Sequence, residues 1–103
     1  QTIYACAVGS SCTAPKAIAI KQNLGSREGA LYIDPPTHTV YWAAYGPNQH
    51  VNVFSCSANG CNQTPTLVAS VSGSSPGAVA SDPTFVYFDY DSTGAVVLAR
   101  VHL

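Results

Sequence analysis

Apolar residues run along this chain in short stretches, and turn residues interrupt them at regular intervals. Ala30-Leu31-Tyr32-Ile33 forms one such stretch, ended by Asp34-Pro35-Pro36. Thr39-Val40-Tyr41-Trp42-Ala43-Ala44-Tyr45 follows, rich in the aromatic and β-branched types that suit a pleated surface. Gly46-Pro47-Asn48 then turns the chain into His50-Val51-Asn52-Val53-Phe54-Ser55-Cys56. Asn59-Gly60 is a hairpin turn signal, and Thr66-Leu67-Val68-Ala69-Ser70-Val71 supplies a fourth strand. Ser72-Gly73-Ser74-Ser75-Pro76 links onward. Pro and Gly recur too often for long helices. Pro15 to Asn23 is the most helix-like segment, but Ile18 and Ile20 alternate with Ala17 and Ala19. It reads as a strand equivalent to Thr66–Val71.

These stretches repeat. Tyr4-Ala5-Cys6-Ala7 matches Phe54-Ser55-Cys56-Ser57 at an offset of 50 residues, and Cys12 and Pro15 match Cys61 and Pro65. Asp34-Pro35 matches Asp82-Pro83 at an offset of 48, and Val40-Tyr41-Trp42 matches Val86-Tyr87-Phe88 at 46. Loops absorb the drift, because changes of loop length cost little. The expected organisation is a single all-β domain over 1–103. It holds one complete four-stranded antiparallel unit (25–72) between two partial ones (1–24 and 73–103). Val97-Leu98-Ala99-Arg100-Val101 takes the place of Val53 to Cys56, with Val101 where the cysteine stands.

Four short antiparallel strands in a unit of about 40–50 residues is the pattern of a β-propeller blade. The phrases Ala78-Val79-Ala80-Ser81-Asp82, Val86-Tyr87-Phe88 and Val40-Tyr41-Trp42 look like inner blade strands. The segment from Val53 to Cys61, followed by Thr64-Pro65-Thr66-Leu67, resembles the cysteine-bearing hairpin of bacterial secreted propeller-type repeats. The resemblance covers nearly the whole chain at the level of pattern. It implies a fold and an extracellular or cell-surface setting, and it implies little about activity. Propellers use roughly four to eight blades, so a chain with one whole blade and two partial ones leaves open edges. Open edges invite pairing with another chain.

Charge sharpens this expectation. Charged residues make up 9% of the chain, against roughly 25% in an average domain. The net charge is −1. Clustered Lys and Arg are absent, which argues against nucleic-acid partners and a polybasic membrane surface. No apolar run reaches the roughly 20 residues of a membrane-spanning helix, so membrane insertion is not expected. No signal-peptide pattern is present, so a secreted protein would be in its mature form with Gln1 left by cleavage. A charge-poor surface does little to keep copies apart.

Candidate chemistry is sparse. The four cysteines form two local pairs, Cys6 with Cys12 and Cys56 with Cys61, read as hairpin disulfides of an oxidising compartment. A four-thiolate metal site is the alternative, although zinc pairs usually sit closer in sequence. His38, His50 and His102 show no shared ligand spacing, and the glycine-flanked serine elbow is absent. Asp89-Tyr90-Asp91-Ser92-Thr93-Gly94 reads as a hairpin turn, with a calcium loop as the weaker alternative. Trp42, Tyr45 and Tyr90 are candidates for a sugar-stacking surface. Asn62-Gln63-Thr64 is an N-glycosylation sequon. No catalytic residue, metal or cofactor is assigned. The expected function is that of a non-enzymatic extracellular structural protein completed by copies of itself as a fibre, surface layer or ring. A lectin-like module that binds carbohydrate is the alternative.

Overall fold

The computed structural model describes residues 2–6, 16–20 and 27–103. The described chain is all-β, apart from a single 3-10 turn at Pro47–Gln49. A two-stranded antiparallel sheet joins β1 (Thr2–Ala5) to β2 (Lys16–Ile20). The middle sheet has four strands in sequence order, β3 (Arg27–Asp34), β4 (Thr39–Gly46), β5 (His50–Ser57) and β6 (Thr66–Ser72). The third sheet has three, β7 (Val79–Ser81), β8 (Phe85–Ser92) and β9 (Ala95–His102). Every pairing is between chain neighbours and antiparallel, which short turns permit. The sheets are open and do not close on one another.

The middle sheet is apolar on both faces, and this is why it lies in the centre. Residues directly paired across strands share a face. Val40 pairs Cys56 and Trp42 pairs Phe54, and these four form one core cluster with Ala44. Tyr41, Ala43, Val51 and Val53 point the other way and join Val79, Val86 and Phe88 of the third sheet in a second cluster. β4 and β5 therefore carry near-continuous apolar runs, as strands buried on both faces do.

Trp42 is 0% exposed and stacks on Phe54 with ring centroids 5.8 Å apart. Its Nε1 is buried without an acceptor among the described residues. Such an orphan costs about 1–3 kcal/mol. Burying about 150–250 Å² of aromatic surface at ~25 cal/mol per Å² returns about 4–6 kcal/mol, so the apolar term wins.

The β5–β6 link makes two turns. The first closes at Asn59-Gly60, where Gly60 N donates to Ser57 O at 2.8 Å and Gly60 takes φ 113°. The second closes from Thr64 N to Cys61 O at 3.0 Å, with left-handed backbone at Asn62 (φ 53°) and Gln63 (φ 61°). The Cys56–Cys61 disulfide spans the first turn and packs against the Trp42 cluster, which holds this longer path. The β8–β9 hairpin has Thr93 (φ 49°) and Gly94 (φ 81°) as its loop. Positive φ at both central residues matches the right-handed twist of the flanking strands.

Residues 73–78 bind the middle sheet to the third. Ser74 N donates to Asp91 O at 2.9 Å and Asp91 N returns a bond to Ser74 O at 2.8 Å. Gly77 N donates to Asp89 O at 3.1 Å. The linker thus continues the line of β7 along β8.

Candidate functional site

Two surfaces stand out. The first is the outer face of the third sheet, where exposed apolar residues lie among charged ones. Tyr87 pairs Arg100, Asp89 pairs Leu98 and Asp91 pairs Val96, and all six side chains lie on the face away from Phe88. Val96 and Leu98 are each 76% exposed. In the middle sheet Val51 and Val53 lie opposite Tyr45 and Ala43, and both are fully buried. In the third sheet Val96 and Leu98 lie opposite Asp91 and Asp89 and are bare.

Towards the other end of this face Arg100 stacks over the Phe85 ring at 4.2 Å, and His102 meets that ring edge-on at 5.3 Å. The Tyr87 hydroxyl donates to Asp82 Oδ2 at 2.6 Å. Asp82 Oδ1 also accepts from the Thr84 and Phe85 amides, at 2.8 and 2.7 Å. The Tyr87 bond, followed by these amide bonds, holds the Asp82 carboxyl below its ordinary value. The same bond, with burial second, pushes the Tyr87 phenol up. Tyr41, in the core, is also pushed up, by burial first and then by the Asp34 carboxylate.

The polar surface is a cleft of about 420 Å³ between the middle and third sheets. The 3-10 turn after β4, the start of the 73–78 linker and the β8–β9 hairpin form its walls. Tyr45, Asn48, Gln49, Ser74, Asp91 and Thr93 contribute to the lining. Gly73 N donates to Gln49 O at 3.0 Å and ties two walls together. Gly73 is required there by close approach, since a Cβ would sit 2.5 Å from the Tyr90 ring.

The sugar-stacking candidates separate accordingly. Trp42 is a correction: it is fully buried in the core and offers no face to a ligand. Its aromatic strand is sandwiched on both sides, which alternation in one strand does not reveal. Tyr90 is half-buried, stacks on Phe88 at 5.8 Å and packs into the core beneath Gly73. Tyr45 alone of the three lines the cleft. Asn48, Gln49 and Asp91 also line it. No local motif singles them out, because three separate turns bring them together.

The remaining candidates can be placed. Cys56 and Cys61 form a disulfide with Cα atoms 5.5 Å apart, which removes the four-thiolate alternative. Cys6 is disulfide-bonded as well, and Cys12, its expected partner, lies outside the described residues. Asn62 is exposed in the β5–β6 link, where the Thr64 hydroxyl donates to its carbonyl at 3.2 Å. Gln63 Nε2 donates to Ala17 O at 2.9 Å and ties the link to the first sheet. Among the described residues, no three His, Cys, Asp or Glu side chains gather as a metal-binding group. No helix of the described chain is long and apolar enough to cross a membrane.

No family model matches the chain, and no curated protein or solved structure is significantly similar to it.

Proposed function

We propose that this chain is a non-enzymatic structural protein of the extracellular space, a blade-like repeat that associates with copies of itself by stacking sheet on sheet. The observation that carries the reading is the bare outer face of the third sheet. Val96 and Leu98 stand there at 76% exposure, at the register positions where Val51 and Val53 of the middle sheet are fully buried. The equivalence extends to Val101, which pairs Val86 as Cys56 pairs Val40. A face patterned to receive a further sheet is an association surface, because burying it returns ~25 cal/mol per Å².

The receiving surface is an accessible patch on the Trp42 face of the middle sheet. Leu31 (54% exposed), Ile33 (56%) and Leu67 (55%) share a face with Trp42 and Phe54 but remain accessible. Two different surfaces meeting head-to-tail give a ring if the rotation closes and a filament if it does not. The low charge of the chain offers little repulsion against this. The disulfides support an oxidising, extracellular setting.

Light scattering coupled to size-exclusion chromatography tests the proposal. The chain elutes as a multimer at micromolar concentration, and Val96→Lys with Leu98→Lys converts it to a monomer with unchanged circular dichroism. A wild-type chain that stays monomeric under these conditions overturns it.

A further inference from the structure

We infer that the cleft between the middle and third sheets is a binding site for a neutral carbohydrate, separate from the surfaces that stack. Its volume of about 420 Å³ falls in the range of roughly 300–1,000 Å³ typical of small-ligand sites. It has room for a sugar unit or a short glycan end.

The lining decides the class of ligand. Among the described residues, no Lys or Arg borders the cleft, and its lining is largely uncharged. An anionic ligand would find no cationic partner among them. Asn48 and Gln49 supply amides, and Ser72, Ser74, Ser92 and Thr93 are hydroxyl-bearing residues of the lining. Amides bridge adjacent hydroxyl groups, because each presents two polar atoms side by side. The half-buried Tyr45 adds a flat ring for the C–H face of a pyranose.

Among the described residues, the Asn48 and Gln49 amides and the Tyr45 hydroxyl hold no hydrogen bond, whereas the Thr93 hydroxyl donates to Ser92 O at 2.8 Å. The walls that carry them are nevertheless fixed. The reciprocal Ser74–Asp91 bonds and the Gly73–Gln49 bond fasten the three segments together. His50 Nδ1 donates to Asn48 O at 2.9 Å and holds the turn from behind.

The backbone around the cleft is strained as well. Asn48 (φ 61°) and Gln49 (φ 57°) line it, and Ser75 (φ 50°) flanks it. Left-handed backbone at non-glycine residues costs about 1–3 kcal/mol each and concentrates at ligand sites. Free polar groups on a fixed, strained frame are the arrangement of a preorganised site.

A neutral and acidic glycan array probed with the full chain tests the inference, followed by amide NMR titration with methyl glycosides of glucose, galactose, mannose and N-acetylglucosamine. We expect neutral sugars to bind and acidic ones not to bind. Shifts should be confined to the amides of residues 45–49, 72–75 and 91–94. Asn48→Gly, in the exposed turn after β4, removes an amide without straining the left-handed backbone and should weaken binding by about tenfold or more without altering circular dichroism. Tyr45→Phe should retain binding, and Tyr45→Ala should lose it. The Val96→Lys, Leu98→Lys double variant should still bind, which separates this site from the stacking reading. Binding of acidic glycans only, no response to any neutral sugar, or unchanged affinity in Asn48→Gly overturns the inference.

Discussion

The middle and third sheets cover their strands to different degrees. In the middle sheet Tyr41 is buried, and its phenol is pushed up chiefly by burial. In the third sheet Tyr87 is half-exposed and gives its hydroxyl to Asp82. Val53 is sealed where Leu98 is bare. Similar side chains in the two sheets thus do different work, because one sheet has neighbours on both faces and the other on one. A strand's pattern states what it is able to bury, and its neighbours decide what it does bury.

The sharpest way to break this contrast is in the doubly covered sheet. Trp42→Ala should cost about 3–5 kcal/mol, the range for large-to-small changes at buried aromatics. Urea denaturation followed by tyrosine fluorescence would measure it, and a loss under 1 kcal/mol would mean that the ring is not sealed in. Next comes the clip on the same face. Replacing Cys56 and Cys61 together by Ser should cost about 2 kcal/mol, the chain-entropy value for so small a loop. Thermal melts of wild type with and without reductant should show the same loss.

Asp82 sharpens the comparison through pH. Its carboxyl is held below the ordinary value of 3.8 in the folded chain. Its bonds to Tyr87 and the two amides therefore stabilise the fold above that value, and the contribution fades as pH falls through the lower, folded value. Asp82→Asn should flatten this part of the acid unfolding curve, and melting temperature against pH from 2 to 6 would show it. An unchanged acid limb would mean that the exposed pair is fully screened by solvent. The smallest effect belongs to the bare face. Leu98→Ala should move the stability of the monomer by no more than about 0.5 kcal/mol, measured by urea denaturation in dilute solution, while it weakens association.

Much of the fold is legible in one dimension. The stretches at Thr39–Tyr45, His50–Cys56 and Thr66–Val71 become β4, β5 and β6 with ends shifted by a residue. β-branched and aromatic runs bounded by Gly, Pro and Asn leave few other options. The Cys56–Cys61 bridge follows from short spacing across a turn. Asn59-Gly60 marks the first of two turns, and the disulfide and Gln63 hold the longer link that the dipeptide alone does not specify.

The candidate site was far less legible. Tyr45 was identifiable as an aromatic at a strand end, but so was Tyr90, and Trp42 looked the best platform of all. Their fates diverge through contacts across sheets: Trp42 against Phe54, Tyr90 under Gly73, Tyr45 at the mouth of a cleft. Asn48, Gln49 and Asp91 carry no motif and meet only when two sheets stack. By itself the sequence determined which segments are strands, where they turn and which cysteines lie within reach of each other. These follow from backbone preference and short-range geometry. Tertiary structure alone decided which of two apolar faces is covered and which polar groups converge. Both depend on how the sheets lie against one another, which no single strand encodes.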